Sequence, residues 1–79
     1  MNHNLMRQFT QEVNGETIIF DVQYNPKTHH FTVTENTLVQ YTLIFDPTTR
    51  TWTTTDGPEP SLPINELAAL VQQSFGVFV

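Results

Sequence analysis

The chain has 79 residues, no cysteine, and eight acidic against three basic side chains, for a formal net charge of -5. That length allows one domain, close to the lower size at which a chain folds without staples, and the missing thiols exclude disulfides, thiolate metal sites and a cysteine nucleophile. The acidic surplus repels a phosphate backbone, so nucleic acid is not expected as a partner.

Residues 1–5 read as a loose start. "MNHNLMRQF" lacks the basic n-region and apolar h-region of a secretory signal. No apolar run approaches the roughly 20 residues of a membrane-spanning helix. The expectation is a protein without a membrane segment, cytoplasmic by default.

Asn14-Gly15 is a strong hairpin signal, because a type I′ turn needs positive φ at both central residues. It joins "RQFTQEV" to "ETIIFDVQY". A two-residue loop sets Val13 opposite Glu16, Phe9 opposite Phe20 and Leu5 opposite Tyr24, with Ile18, Phe20, Val22 and Tyr24 on one face.

Two further reversals share one pattern. "YNPKTHHFTVTEN" (24–36) and "FDPTTRTWTTTDG" (45–57) both run aromatic, Asx, Pro, any residue, Thr, then an aromatic and Thr. Asn25-Pro26 and Asp46-Pro47 suit the start of a type I turn, since the Asx side chain bonds the backbone ahead and Pro presets φ. Tyr24 then pairs with Phe31 across one hairpin, and Phe45 with Trp52 across the other. A unit of one hairpin is too short for a solenoid, so the repeat reads as one turn recipe used twice. Glu35-Asn36 makes the polar corner between these hairpins.

The strands are therefore expected at 6–13, 16–24, 29–35, 38–45 and 50–55. "DGPEPSLP" ends the sheet in a Gly/Pro linker, 56–62. Beyond it Ile64, Leu67, Ala68, Val71 and Phe75 recur at helical spacing, predicting a helix over 63–75 with Ser61 as N-cap, Glu66 near the positive end and Gly76 at C′. An apolar tail, 76–79, follows. The fold class is α+β, a five-stranded antiparallel meander with one C-terminal helix on its apolar face.

That face carries Leu5, Phe9, Val13, Ile18, Phe20, Val22, Tyr24, Phe31, Val33, Val39, Tyr41, Leu43, Phe45 and Trp52. A helix about 10 Å wide cannot cover a flat sheet about 20–24 Å wide. Either the sheet curls round the helix, or part of the aromatic face stays open for a partner.

No catalytic constellation emerges. Ser61 and Ser74 are the only serines, and no G-x-S-x-G or glycine-rich phosphate loop is present. Asp21 and Glu35 fall on opposite faces by alternation. His29 and His30, taken as strand neighbours, also point to opposite faces and make poor joint ligands. No metal or cofactor is expected, nor an enzyme.

The reading is a non-catalytic protein-interaction module whose partner is an unknown protein or itself, a homodimer through the open face or an edge strand. Its interaction surface is drawn from Trp52, Phe45, Tyr41, Tyr24, Phe31 and Phe78. The alternative is a small apolar-ligand carrier or sensor with a cavity lined by Phe20, Tyr41 and Phe45.

Overall fold

The computed structural model describes residues 5–76, which form β1 (Met6–Val13), β2 (Glu16–Asn25), β3 (His30–Glu35), β4 (Val39–Asp46), β5 (Thr51–Thr55) and α1 (Ile64–Phe75). The strands make one sheet in the order β1-β2-β3-β4-β5, every pair antiparallel. This is the expected α+β meander followed by one helix. Phe78, and the tail from 77 onward, lie outside the described residues.

Asn14 and Gly15 adopt φ of 53° and 84°, the type I′ geometry whose twist matches the flanking strands. The register follows from it. Val13 faces Glu16 and Phe9 faces Phe20, with the two rings stacked at 5.2 Å, and the Tyr24 amide donates to the Leu5 carbonyl at 2.9 Å. The turn thus sends Ile18, Phe20 and Val22 to the inner face, where all three are buried.

The inner residues of the central strands are closed off from solvent: Phe20, Val22, Val33 and Leu43 are each 0% exposed, and Tyr41 is 1% exposed. From the other side, α1 contributes Leu67, Ala68 and Val71. Its nearest strand neighbours are β1 and β5, the two edges of the sheet. A helix about 10 Å across reaches both edges of a sheet about 20 Å wide only if the sheet bends round it. The sheet therefore curls; of the three residues named for a carrier's cavity, Phe20 and Tyr41 are buried in the core and Phe45 is half-buried.

The helix ends as expected, with Gly76 at φ 90° and its amide on the carbonyls of Gln72 and Gln73, the left-handed position that glycine occupies without a Cβ penalty. Its start differs. Pro63 occupies the N-cap position with no side-chain cap, so Ser61 lies too far upstream to serve. The Ser61 hydroxyl instead donates to Glu35 Oε1 at 2.6 Å.

Among the described residues no helix is long and apolar enough to cross a membrane.

Candidate functional site

Two matched turns shape one end of the molecule. Asn25 Oδ1 accepts from the Lys27 amide at 2.9 Å, and Asp46 Oδ1 accepts from the Thr48 amide at 2.9 Å. Each turn closes through a bond across four residues, His29 N to Asn25 O at 2.7 Å and Arg50 N to Asp46 O at 2.6 Å. His29 and Arg50 then take φ of 63° and 60°. The repeat in the sequence is thus one turn built twice, down to the side-chain bond and the left-handed residue that ends it.

That left-handed residue changes the reading of the histidines. His29 belongs to the turn, and β3 begins at His30, so strand alternation does not apply across the pair. Both residues border the same cleft. The Tyr24 hydroxyl and His29 Nδ1 share a hydrogen bond of 2.8 Å, which pins the His29 ring at the rim.

Between the two turns lies an open cleft of about 530 Å³, bordered by Tyr24, Thr28, His29, His30, Phe31, Phe45, Pro47 and Trp52. Its rings form a connected series. Tyr24 and Phe31 are cross-strand partners with centroids 4.9 Å apart, as are Phe45 and Trp52 at 5.0 Å. Phe31 and Trp52, at 6.0 Å, link the two pairs across β4. Phe75, from the last turn of α1, packs edge-on against Phe31 at 5.6 Å.

The expected surface residues therefore separate into three groups. Tyr24, Phe45 and Trp52 are half-buried walls. Phe31, 2% exposed, is the floor. Tyr41 is no surface residue: it is buried, and its hydroxyl donates to Glu35 Oε2 at 2.7 Å.

Glu35, read from the sequence as half of a polar corner, is the last residue of β3 and the one buried charged side chain among the described residues, 5% exposed. Besides Tyr41, it accepts from the Ser61 amide at 3.0 Å and the Ser61 hydroxyl. Burial, with the Glu35 carboxylate beside it, pushes the Tyr41 phenol far above its ordinary ionisation range. These three residues tie β3, β4 and the linker together, and they do not border the cleft. The signal for this cluster was available: Glu35 shares strand parity with Phe31 and Val33, which places a carboxylate on the core face.

Charge is also sorted along the strands. Arg7 near the start of β1, Lys27 and Arg50 in the matched turns, and both described histidines lie at the cleft end. Arg50 and Phe45 border a second groove that shares Pro47 with the cleft. Glu12, Glu16, Asp56, Glu59 and Glu66 lie at the opposite end, with the β1–β2 and β3–β4 turns and the start of α1. Asp46 is the acidic residue of the cleft-end turns, and its carboxylate is held by the turn itself.

Arg7 has a structural task at this end. Its Nε donates to the Ser74 carbonyl at 2.9 Å, and its guanidinium lies 4.9 Å from the centre of the Phe75 ring. A cation there answers the unpaired carbonyls at the helix C-terminus.

The chain matches no family model, no curated protein and no solved structure.

Proposed function

We propose that this protein is a non-catalytic recognition module that binds through the aromatic cleft between its matched turns. The observation that carries the reading is the ring series Tyr24–Phe31–Trp52–Phe45 bordering an open space, beside a core that is otherwise closed. Large aromatic surfaces left half-covered are the usual anchors of partner recognition, because they bury much apolar area for few frozen torsions. The walls belong to β-strands joined by turns that are hydrogen-bonded internally, so the cleft is held in shape before anything enters it.

The carrier reading has less support, since Phe20 and Tyr41 are packed within the core rather than against a void. The outer face of the curled sheet, a threonine face with Thr17, Thr32, Thr34 and Thr42, carries no comparable series of aromatic rings among the described residues.

Trp52 makes the test direct, being the only tryptophan in the chain and a wall of the cleft. Its emission is to be followed while phenylacetate is added, with acetate as the control. The reading expects a saturable change with phenylacetate and none with acetate. A response that stays linear, or equal for the two anions, overturns it.

A further inference from the structure

We propose that the cleft receives a second copy of this chain, docked head to tail: the β3–β4 turn of one molecule, led by Leu38, enters the aromatic cleft of the next. The proposal rests on the reading of the cleft as a binding surface, and it adds the occupant.

The first observation is Leu38 itself. It is 86% exposed, far more than Met6 at 56% or Ile19 at 40%. It is also presented on a stiff support. The Asn36 amide donates to the Ile19 carbonyl at 2.8 Å and the Leu38 amide to the Glu35 carbonyl at 3.0 Å. The Ile19 amide returns a bond to Asn36 Oδ1 at 2.9 Å. Asn36 and Thr37 both sit at positive φ, 51° and 58°. For a β-branched residue such as Thr37 that is an outlier, and the bonds around it hold the tip in one shape. An apolar side chain on a preformed turn loses little freedom when it docks.

The second observation is where the knob lies. The β3–β4 turn is at the acidic end of the strands, and in the strand order it stands between the β1–β2 hairpin with Glu12 and Glu16 and the segment after β5 with Asp56 and Glu59. The cleft is built to match. Its two turns carry Lys27 on one side and Arg50 on the other. A knob flanked by carboxylates thus meets an aromatic cleft flanked by cations, so the same approach that buries Leu38 pairs opposite charges at the rim. Two acidic ends brought together repel, and so do two basic ends.

Knob and cleft lie at opposite ends of the strands, and docked end to end along the strand axis they make a heterologous contact. It does not close into a two-fold dimer; it continues from molecule to molecule as a chain, or closes as a ring if the rotation allows. A single leucine with an ionic rim makes a small interface, and association is accordingly weak and sensitive to salt.

The test is sedimentation velocity on three proteins over roughly a hundredfold range of concentration, because a heterologous contact yields longer species as concentration rises. They are the wild type, Leu38→Ser, which removes the knob and keeps the cleft, and the Lys27→Glu/Arg50→Glu pair, which reverses the rim and keeps the knob. All three positions are exposed, so the fold is retained. The wild type should show a mean mass that rises with concentration and falls when salt is added. Leu38→Ser should lose about tenfold or more in association constant, and the charge-reversed protein should be monomeric. Mixing the two variants should restore association that stops at a one-to-one dimer, since each supplies the half the other lacks.

A wild type that stays monomeric overturns the proposal. So does a Leu38→Ser protein that associates like the wild type, or a mixture that remains monomeric. If the wild type is monomeric yet Trp52 responds to phenylacetate, the cleft stands as a binding site and its occupant is a foreign acidic segment or small anion. If neither is seen, both readings fall.

Discussion

Replacing Glu35 by alanine removes the acceptor of three hydrogen bonds at once: from the Tyr41 hydroxyl at 2.7 Å, the Ser61 hydroxyl at 2.6 Å and the Ser61 amide at 3.0 Å. The Ser61 groups lie near the surface and can turn to water. The Tyr41 hydroxyl, on a residue 1% exposed, cannot. Leaving a buried donor unpaired costs about 1–3 kcal/mol, and losing hydrogen bonds to a charged acceptor adds about 1.5–3 kcal/mol. Removing a carboxylate that was costly to bury offsets part of this. A net loss of about 3 kcal/mol is expected, against a total stability of roughly 4–12 kcal/mol for a chain of this length. Ser61→Ala, which keeps the amide bond, should lose only about 1.5 kcal/mol, the low end for a hydrogen bond to a charged acceptor. The assay is urea unfolding followed by Trp52 emission and far-ultraviolet circular dichroism. If Glu35→Ala unfolded at the wild-type midpoint, or if Ser61→Ala cost as much as Glu35→Ala, the account of a buried carboxylate tying the linker to the sheet would be wrong.

Tyr41 supplies a pH prediction. Its phenol is raised in the folded state by burial and by Glu35, so its contribution is fully present below the unfolded tyrosine value of about 10 and declines as pH rises above it. The folded state should lose up to about 1.4 kcal/mol per pH unit there, and Tyr41→Phe should flatten that alkaline limb in unfolding curves measured between neutral and high pH. Gly57→Ala should be strongly destabilising, because a Cβ at that position overlaps the Gln40 carbonyl oxygen and crowds Tyr41 Cβ; a melting temperature within a degree or two of the wild type would refute the close approach. Thr37→Gly should act in the opposite direction and stabilise by roughly 1 kcal/mol, since the position needs φ of 58° and glycine takes that region freely. An unchanged or lower denaturant midpoint would refute it.

The architecture was legible because local signals agreed with one another. Asn14-Gly15 set a register by its own turn chemistry, and alternation then placed Ile18, Phe20 and Val22 inward. The change from period two to the stripe through Ile64, Leu67, Val71 and Phe75 marked the helix. What was not legible is non-local or left unmarked by residue type. His29 and Arg50 occupy left-handed positions where glycine or asparagine would have announced them. Without that cue β3 and β5 are assigned one residue early, and His29 is counted as a strand residue. Ser61 looked like a cap because Ser often is one; its actual partner, Glu35, is distant in sequence. The curl of the sheet depends on both edge strands reaching one helix, which no local pattern encodes. The charge sorting, by contrast, follows from meander topology alone once the turns are placed.

The claim at the centre of this account is that two separate segments, 24–31 and 45–52, form one binding surface. The measurement that tests it most directly is a map of amide and aromatic chemical shifts in ¹⁵N- and ¹³C-labelled protein as phenylacetate is added. The account predicts changes confined to those two segments, largest at Trp52, Phe45 and His29, with the acidic end unmoved. Changes centred on β1 or on the threonine face, or a spectrum that does not respond, would contradict it.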